Sequence, residues 1–167
     1  MASVPGIPIL EGKYIATMDM WPVEAKEFNR NYTFYENLKA GKFTTTKCKG
    51  CGLVSFPPRV LCPECYSENL EYIELPKRGT VICLSEETKG VPLGFDSPLI
   101  HAFVEMEPSS PVRKVLTKIV NCAAGELKVG SEVQFVTFEV PAIPIEKGKQ
   151  GIVMAERYFF AFEPVKK

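Results

Sequence analysis

A mainly β fold is predicted for this chain of 167 residues, with a helical segment and a small metal-bound ribbon ahead of a C-terminal barrel. Two observations predict it. Four cysteines fall in two Cys-x2-Cys pairs, Cys48/Cys51 and Cys62/Cys65, separated by ten residues. From Tyr72 onward the sequence breaks into short β-rich runs punctuated by glycine and proline, with no long helical period.

Residues 1–22 carry Pro5, Pro8 and Pro22 and no clear period, so they read as an extended arm. Met18, Met20 and Trp21 are poor choices for a solvated tail; the arm packs on its own domain or wraps a partner subunit. Residues 23–42 read as two short helices broken near Asn29 to Asn31. Thr33 and Glu36 have the spacing of a capping box, Phe34 and Leu38 share a face at i, i+4, and Gly41 sits where a helix ends on glycine. The aromatics here (Phe28, Tyr32, Phe34, Tyr35) either pack on the ribbon or form an interface.

Residues 43–72 contain the ribbon. Two thiolates presented from a tight turn can bind one ion, and two such turns complete a tetrahedral four-sulfur shell, the geometry zinc prefers at roughly 2.3 Å per sulfur. Such a shell leaves no position for water or substrate, so the metal is read as structural. Iron is the alternative, because it accepts the same ligands. Gly50 and Gly52 can supply positive φ in the first knuckle, and Pro63 stiffens the second. Doubled Cys-x2-Cys spacing in a chain without a secretory signal favours a metal over disulfides or unrelated core cysteines. Cys83 and Cys122 flank apolar runs and read as small buried residues.

Residues 73–167 carry strand runs near Tyr72–Leu75, Thr80–Glu86, Leu99–Glu107, Val112–Asn121, Glu132–Val140 and Arg157–Glu163. In the last, Tyr158, Phe160 and Phe162 fall on one face, where the core is expected to close. This many short strands in about ninety residues suit an OB-fold better than a sandwich. Thr88–Ser97 and Pro141–Val153 read as its long loops.

Composition narrows the function classes. Hydrophobic residues make up 46% and charged residues 24%, with 20 basic and 20 acidic side chains. Zero net charge argues against a nucleic-acid-binding ribbon, whose affinity comes largely from neutralising phosphates. No apolar stretch reaches the ~20 residues that span a bilayer, and Met1–Leu10 lacks the basic leader of a secretory signal. A cytoplasmic location with reduced thiols is consistent. His101, the single histidine, lies among apolar neighbours and reads as a half-buried, hydrogen-bonded side chain. Nucleophile-elbow, P-loop and dinucleotide-binding patterns are missing. No catalytic residue is therefore assigned, and activity of the chain alone is not expected.

Phe34-Tyr35-Glu36-Asn37-Leu38-Lys39-Ala40-Gly41-Lys42 leads into the cysteine ribbon with its Phe-Pro-Pro-Arg insert; Arg78-Gly79-Thr80-Val81 and Leu127-Lys128-Val129-Gly130-Ser131-Glu132-Val133 follow, and Phe160-Ala161-Phe162-Glu163-Pro164 closes the chain. This ordered series resembles the family in which a helical hairpin and a rubredoxin-like zinc ribbon precede an OB-fold. Its members are small partner subunits of thiolases, condensing enzymes and acyl-CoA hydratases, some of them of benzylsuccinyl-CoA-type thiolases. The resemblance implies that Cys48, Cys51, Cys62 and Cys65 are zinc ligands. It further implies that the chain docks on a larger thiolase-like subunit and helps enclose a CoA thioester. CoA phosphates need a few cations, and Lys42, Arg59, Lys77 and Arg78 lie near the ribbon–barrel junction in sequence. Pro76-Lys77, the arm and the Pro141–Val153 segment depart from the family pattern, pointing to a partner-specific clasp. The reading from a different class is a single-stranded nucleic-acid-binding ribbon/OB protein.

Overall fold

The computed structural model describes residues 29–91, 96–146 and 152–166. One helix, α1 (Tyr32–Lys39), precedes a three-stranded antiparallel sheet of β1 (Thr44–Cys48), β2 (Val54–Ser55) and β3 (Leu70–Glu74) in the order β2-β1-β3. Five further strands close a barrel: β4 (Arg78–Glu87), β5 (Leu99–Met106), β6 (Lys114–Ile119), β7 (Glu132–Glu146) and β8 (Ile152–Pro164). Their order is β4-β5-β6-β8-β7, with β7 returning to β4 and the β6–β8 pairing parallel. A five-stranded closed barrel is the OB-like architecture expected from the strand runs.

Helix α1 buries Phe34 and Leu38, the i, i+4 pair. Its end is a Schellman turn: the Lys42 N–H donates to the Asn37 carbonyl and the Gly41 N–H to the Leu38 carbonyl, with Gly41 at φ +68°. Its start differs from expectation. The helix begins at Tyr32 behind Asn31, so Thr33 sits inside the first turn and cannot cap it. The Asn31 N–H is instead accepted by Asn29 Oδ1 at 2.8 Å. The helix expected before it, and the arm, lie outside the described residues apart from Asn29–Asn31.

β1 is buried on both sides although it reads Thr-Thr-Thr. Each hydroxyl has a partner: Thr44 accepts from Asn37, Thr45 donates to the Ser55 carbonyl, and Thr46 accepts from the Arg59 N–H. Paired hydroxyls avoid the desolvation cost of unsatisfied ones.

Ahead of β1, Phe43 is fully buried and joins ribbon to barrel. It stacks on Phe135 at 4.6 Å between ring centroids and meets Phe56, Phe160 and Phe162 within 6.0 Å. Phe34, Leu38 and Leu75 share one core with the barrel interior of Val81, Ile100, Val104, Val115, Val133 and Phe162. Tyr158 and Phe160 pack against it, as the alternation of the last run predicts. Gly79 is required for space: a Cβ there would lie 2.5 Å from Val104 Cγ1 and 2.6 Å from the Glu105 carbonyl oxygen.

Three further expectations fail for local reasons. Pro141–Val153, read as a loop, is largely the upper part of the β7–β8 hairpin, which runs to the pair Glu146↔Ile152. Proline is tolerated there because the register breaks between Val140 and Ile143 and, among the described residues, the strands beyond pair with each other alone. Cys83 is exposed rather than buried. Val81 pairs with Val104 but Cys83 with Phe103, so Ile82 is the extra residue of a bulge that reverses the alternation and turns Cys83 outward. His101 is exposed on the outer wall instead of half-buried, while its neighbours Ile100 and Ala102 point inward.

Candidate metal centre

The two knuckles are built alike. In the first, the Cys48 N–H donates to the Leu53 carbonyl and the Gly52 N–H to the Cys48 carbonyl; in the second, Cys62 pairs with Ser67 and Tyr66 with Cys62 in the same way. The equivalent fourth position is left-handed in both, Gly52 at φ +80° and Tyr66 at φ +56°. Of the two glycines expected to provide that conformation, Gly52 does so. Gly50 does not: it has no left-handed φ, and a Cβ there would meet Cys48 Sγ and Cys65 Sγ at the ordinary contact distances of 3.6 and 3.8 Å.

These turns bring the four sulfurs together. All lie within 4.8 Å of one another, with Cys48 and Cys62 buried and Cys51 and Cys65 exposed. Cys48 and Cys65 are 3.5 Å apart at sulfur, as are Cys51 and Cys62. These separations are far beyond a disulfide bond, and all four are free cysteines. A tetrahedral zinc with ~2.3 Å bonds requires sulfur–sulfur edges of about 3.8 Å, so the donor set fits the ion in type and spacing.

The electrostatics split the four sulfurs. Backbone N–H groups of Cys51 and Gly50 draw the Cys48 thiol from 9.0 down to about 6. Those of Cys65 and Glu64 lower Cys62 likewise. Cys51 receives the Leu53 N–H, yet the neighbouring Cys62 sulfur, burial and the other two sulfurs push it up to about 12. Cys65 receives the Ser67 N–H and is still raised, first by Cys48. Backbone amides of the knuckles therefore favour two thiolates, and hydrogen bonding between neighbouring sulfurs keeps protons on the two exposed ones; a divalent cation bound there would displace those protons.

The four cations singled out in the sequence are all exposed and do not converge on one pocket. Arg59 lines a depression of about 140 Å³ with Arg30, Thr46, Glu68 and Tyr72. Arg78 lines another of about 880 Å³, with Arg113, Glu105, Glu107 and Glu132, at the end of the barrel where β4, β5 and β7 meet. These two depressions share no residue, and neither Lys42 nor Lys77 lines either one. Sequence proximity at the junction could not reveal this: the Arg78 carbonyl accepts from Glu107 at the barrel rim, while the Arg59 N–H donates to Thr46 of the ribbon. Sequence reasoning missed Phe43 as the joint; a lone phenylalanine between a lysine and a threonine run carries no periodicity.

Comparison with known proteins places these features in context. The family model described as ChsH2, rubredoxin-like zinc ribbon domain, matches residues 36–71. A DUF35 domain-containing scaffold protein of Methanothermobacter thermautotrophicus is 31% identical over 128 residues, covering 72% of this chain and 85% of that one. The benzoylsuccinyl-CoA thiolase subunit BbsA of Thauera aromatica is 30% identical over 60 residues, 36% of this chain and 41% of BbsA. Among solved structures, one titled Ltp2-ChsH2(DUF35) aldolase superposes with a TM-score of 0.57 at 20% identity, over 84% of this chain and 98% of that one. The likeness supports the fold.

Proposed function

The chain belongs to the family of DUF35 domain-containing scaffold proteins, and from that premise we propose that it is a non-catalytic subunit that docks on a larger thiolase-type enzyme and helps hold its CoA thioester. Zinc, held by Cys48, Cys51, Cys62 and Cys65, is its structural ion. The observation that carries this reading is the four-sulfur cage fused to a barrel through Phe43. Four cysteine sulfurs would fill a tetrahedral zinc's positions, so the ion would shape a surface and leave no place for an activated water. Bond-making belongs to the partner. The partial match to a thiolase subunit supports an acyl-CoA enzyme as that partner. Because Arg59 and Arg78 sit in separate depressions, this chain supplies one or two cations to the CoA phosphates and the large subunit completes the cradle. Among the described residues no helix is long and apolar enough to cross a membrane.

The test is affinity purification of the tagged chain from its native cell, with mass identification of what accompanies it and thiolysis assays of each fraction. A larger condensing-type subunit should copurify, with activity in the complex and none in the isolated chain. Robust turnover by the isolated chain would remove the proposal.

A further inference from the structure

The outer wall of the barrel carries an apolar stripe. Cys83 on β4, Phe103 on β5 and Leu116 on β6 stand side by side in register, all exposed. Phe103 keeps 43% and Leu116 56% of its surface open. The stripe continues across the barrel closure. Lys118, two residues along the same face of β6, places Nζ 5.6 Å from the centroid of the Phe138 ring on β7. Phe138 in turn stacks at 5.8 Å on its cross-strand partner Phe159, itself 38% exposed. Single exposed apolar residues are ordinary; a row with members on all five barrel strands marks an interaction surface.

We infer that this wall is the face by which the chain docks on its large enzyme subunit, and that the partner presents an apolar patch bordered by carboxylates. The inference rests on the functional reading above. β5 and β6 are the second and third strands of the barrel, and the outer face of that pair is where OB-folds commonly take their ligands. Charge selects the kind of partner. Lys114 and Lys118 flank Leu116 along β6, His101 lies beside Lys118 on β5, and Arg113 stands 4.0 Å from Glu105. That border is more basic than acidic, which favours an acidic counterpart. A second copy of this chain fits poorly, because a two-fold interface would set each lysine border against its equal. Nucleic acid fits poorly too: an aliphatic Leu116 occupies the centre, Glu105 shares the wall, and the chain has no net charge.

The experiment uses the full zinc-loaded chain and the large subunit identified by native-cell capture. Binding is measured by calorimetry for Phe103→Lys, Leu116→Lys and Val129→Lys, the last a still more exposed position (66%) on the β6–β7 connection. Zinc content and circular dichroism monitor folding. The two stripe variants should weaken the complex at least tenfold and Val129→Lys by less than twofold. Alkylation of Cys83, followed at the peptide level, needs no variant and should slow at least tenfold in the complex. Wild-type affinity in both stripe variants, or unchanged Cys83 reactivity, overturns the docking face while leaving the functional reading intact. A wild-type homodimer that Leu116→Lys dissociates, or micromolar binding of labelled oligothymidylate that it weakens, overturns it in favour of those occupants. Failure of the wild type to capture any large subunit sinks the functional reading and the docking face together.

Discussion

The ribbon and the barrel are held together by different physics. In the ribbon, most buried side chains beyond Phe43 are threonines and cysteines, and order comes from hydroxyl–backbone bonds and the sulfur cage. In the barrel, Val81, Ile100, Val104, Val115, Val133 and Phe162 fill a continuous interior. A module as small as the ribbon cannot bury enough apolar surface to order itself, and its four-cysteine site is suited to take the place of a core once a metal binds. The barrel needs none. Phe43, with Phe56 beside it, packs on the barrel from the ribbon side, so its loss would touch both.

The largest expected effect separates the two parts. Cys48→Ser removes a buried ligand whose thiol is already lowered to about 6. Structural zinc contributes ~10–16 kcal/mol of apparent binding free energy in small sites, more than a ribbon can replace. Metal content should fall to background, and amides of β1–β3 should exchange freely by hydrogen-exchange mass spectrometry, while β4–β6 stay protected. Unchanged metal content and melting temperature would refute the ligand assignment; loss of protection throughout the barrel would refute the division.

Phe43→Ala probes the joint. It deletes a fully buried ring packed on Phe56, Phe135, Phe160 and Phe162, at a cost of about 3–5 kcal/mol. Urea denaturation should show that loss with zinc affinity little changed, because the knuckle turns do not use Phe43. If zinc affinity fell with stability, cage and core would be one cooperative unit, and the contrast between the two parts would dissolve.

The same contrast explains what could be read in the sequence. The cage was legible because ligand chemistry fixes both residue type and spacing, and the knuckle bonds are local. Strands β4–β6 were legible because one wall faces a core, which imprints alternation: Val115, Thr117 and Ile119 are buried while Lys114 and Leu116 are exposed. Where alternation breaks, sequence reading breaks with it. The bulge at Ile82 changes one pairing and reverses the facing of Cys83, and no residue type announces it. The upper β7–β8 hairpin hides behind Pro141 and Pro144, which are breakers only where a neighbour needs their missing N–H. The outward stripe is only faintly marked in the sequence, where Leu116 shares its face with Lys114 and Lys118. Its continuation through Phe138 and Phe159 depends on which strands close the barrel.

The smallest predicted effect lies in that closure. β6 and β8 meet in parallel at Ile119↔Phe162, where the Val120 N–H donates to the Phe162 carbonyl at 2.9 Å. Glu163 reinforces the junction by accepting from Asn121 Nδ2 at 2.6 Å and from Gln134 Nε2 at 2.9 Å, tying the end of β6 to β7. Asn121 reaches it from a left-handed backbone at φ +54°, a conformation asparagine tolerates. These two amides, Asn121 first, hold the Glu163 carboxyl below its ordinary 4.5. A carboxylate with a lowered native pKa stabilises the fold above its unfolded pKa, and the contribution disappears as pH falls through the native value. Glu163→Gln should therefore cost about 0.5–1 kcal/mol at pH 7, a figure kept small by partial exposure to solvent. Denaturation at pH 7, 5 and 3.5 should show the gap between wild type and variant holding at pH 5 and narrowing below 4.5. A gap that stayed constant to pH 3.5 would mean that packing, and not the charge on Glu163, secures this end of the barrel.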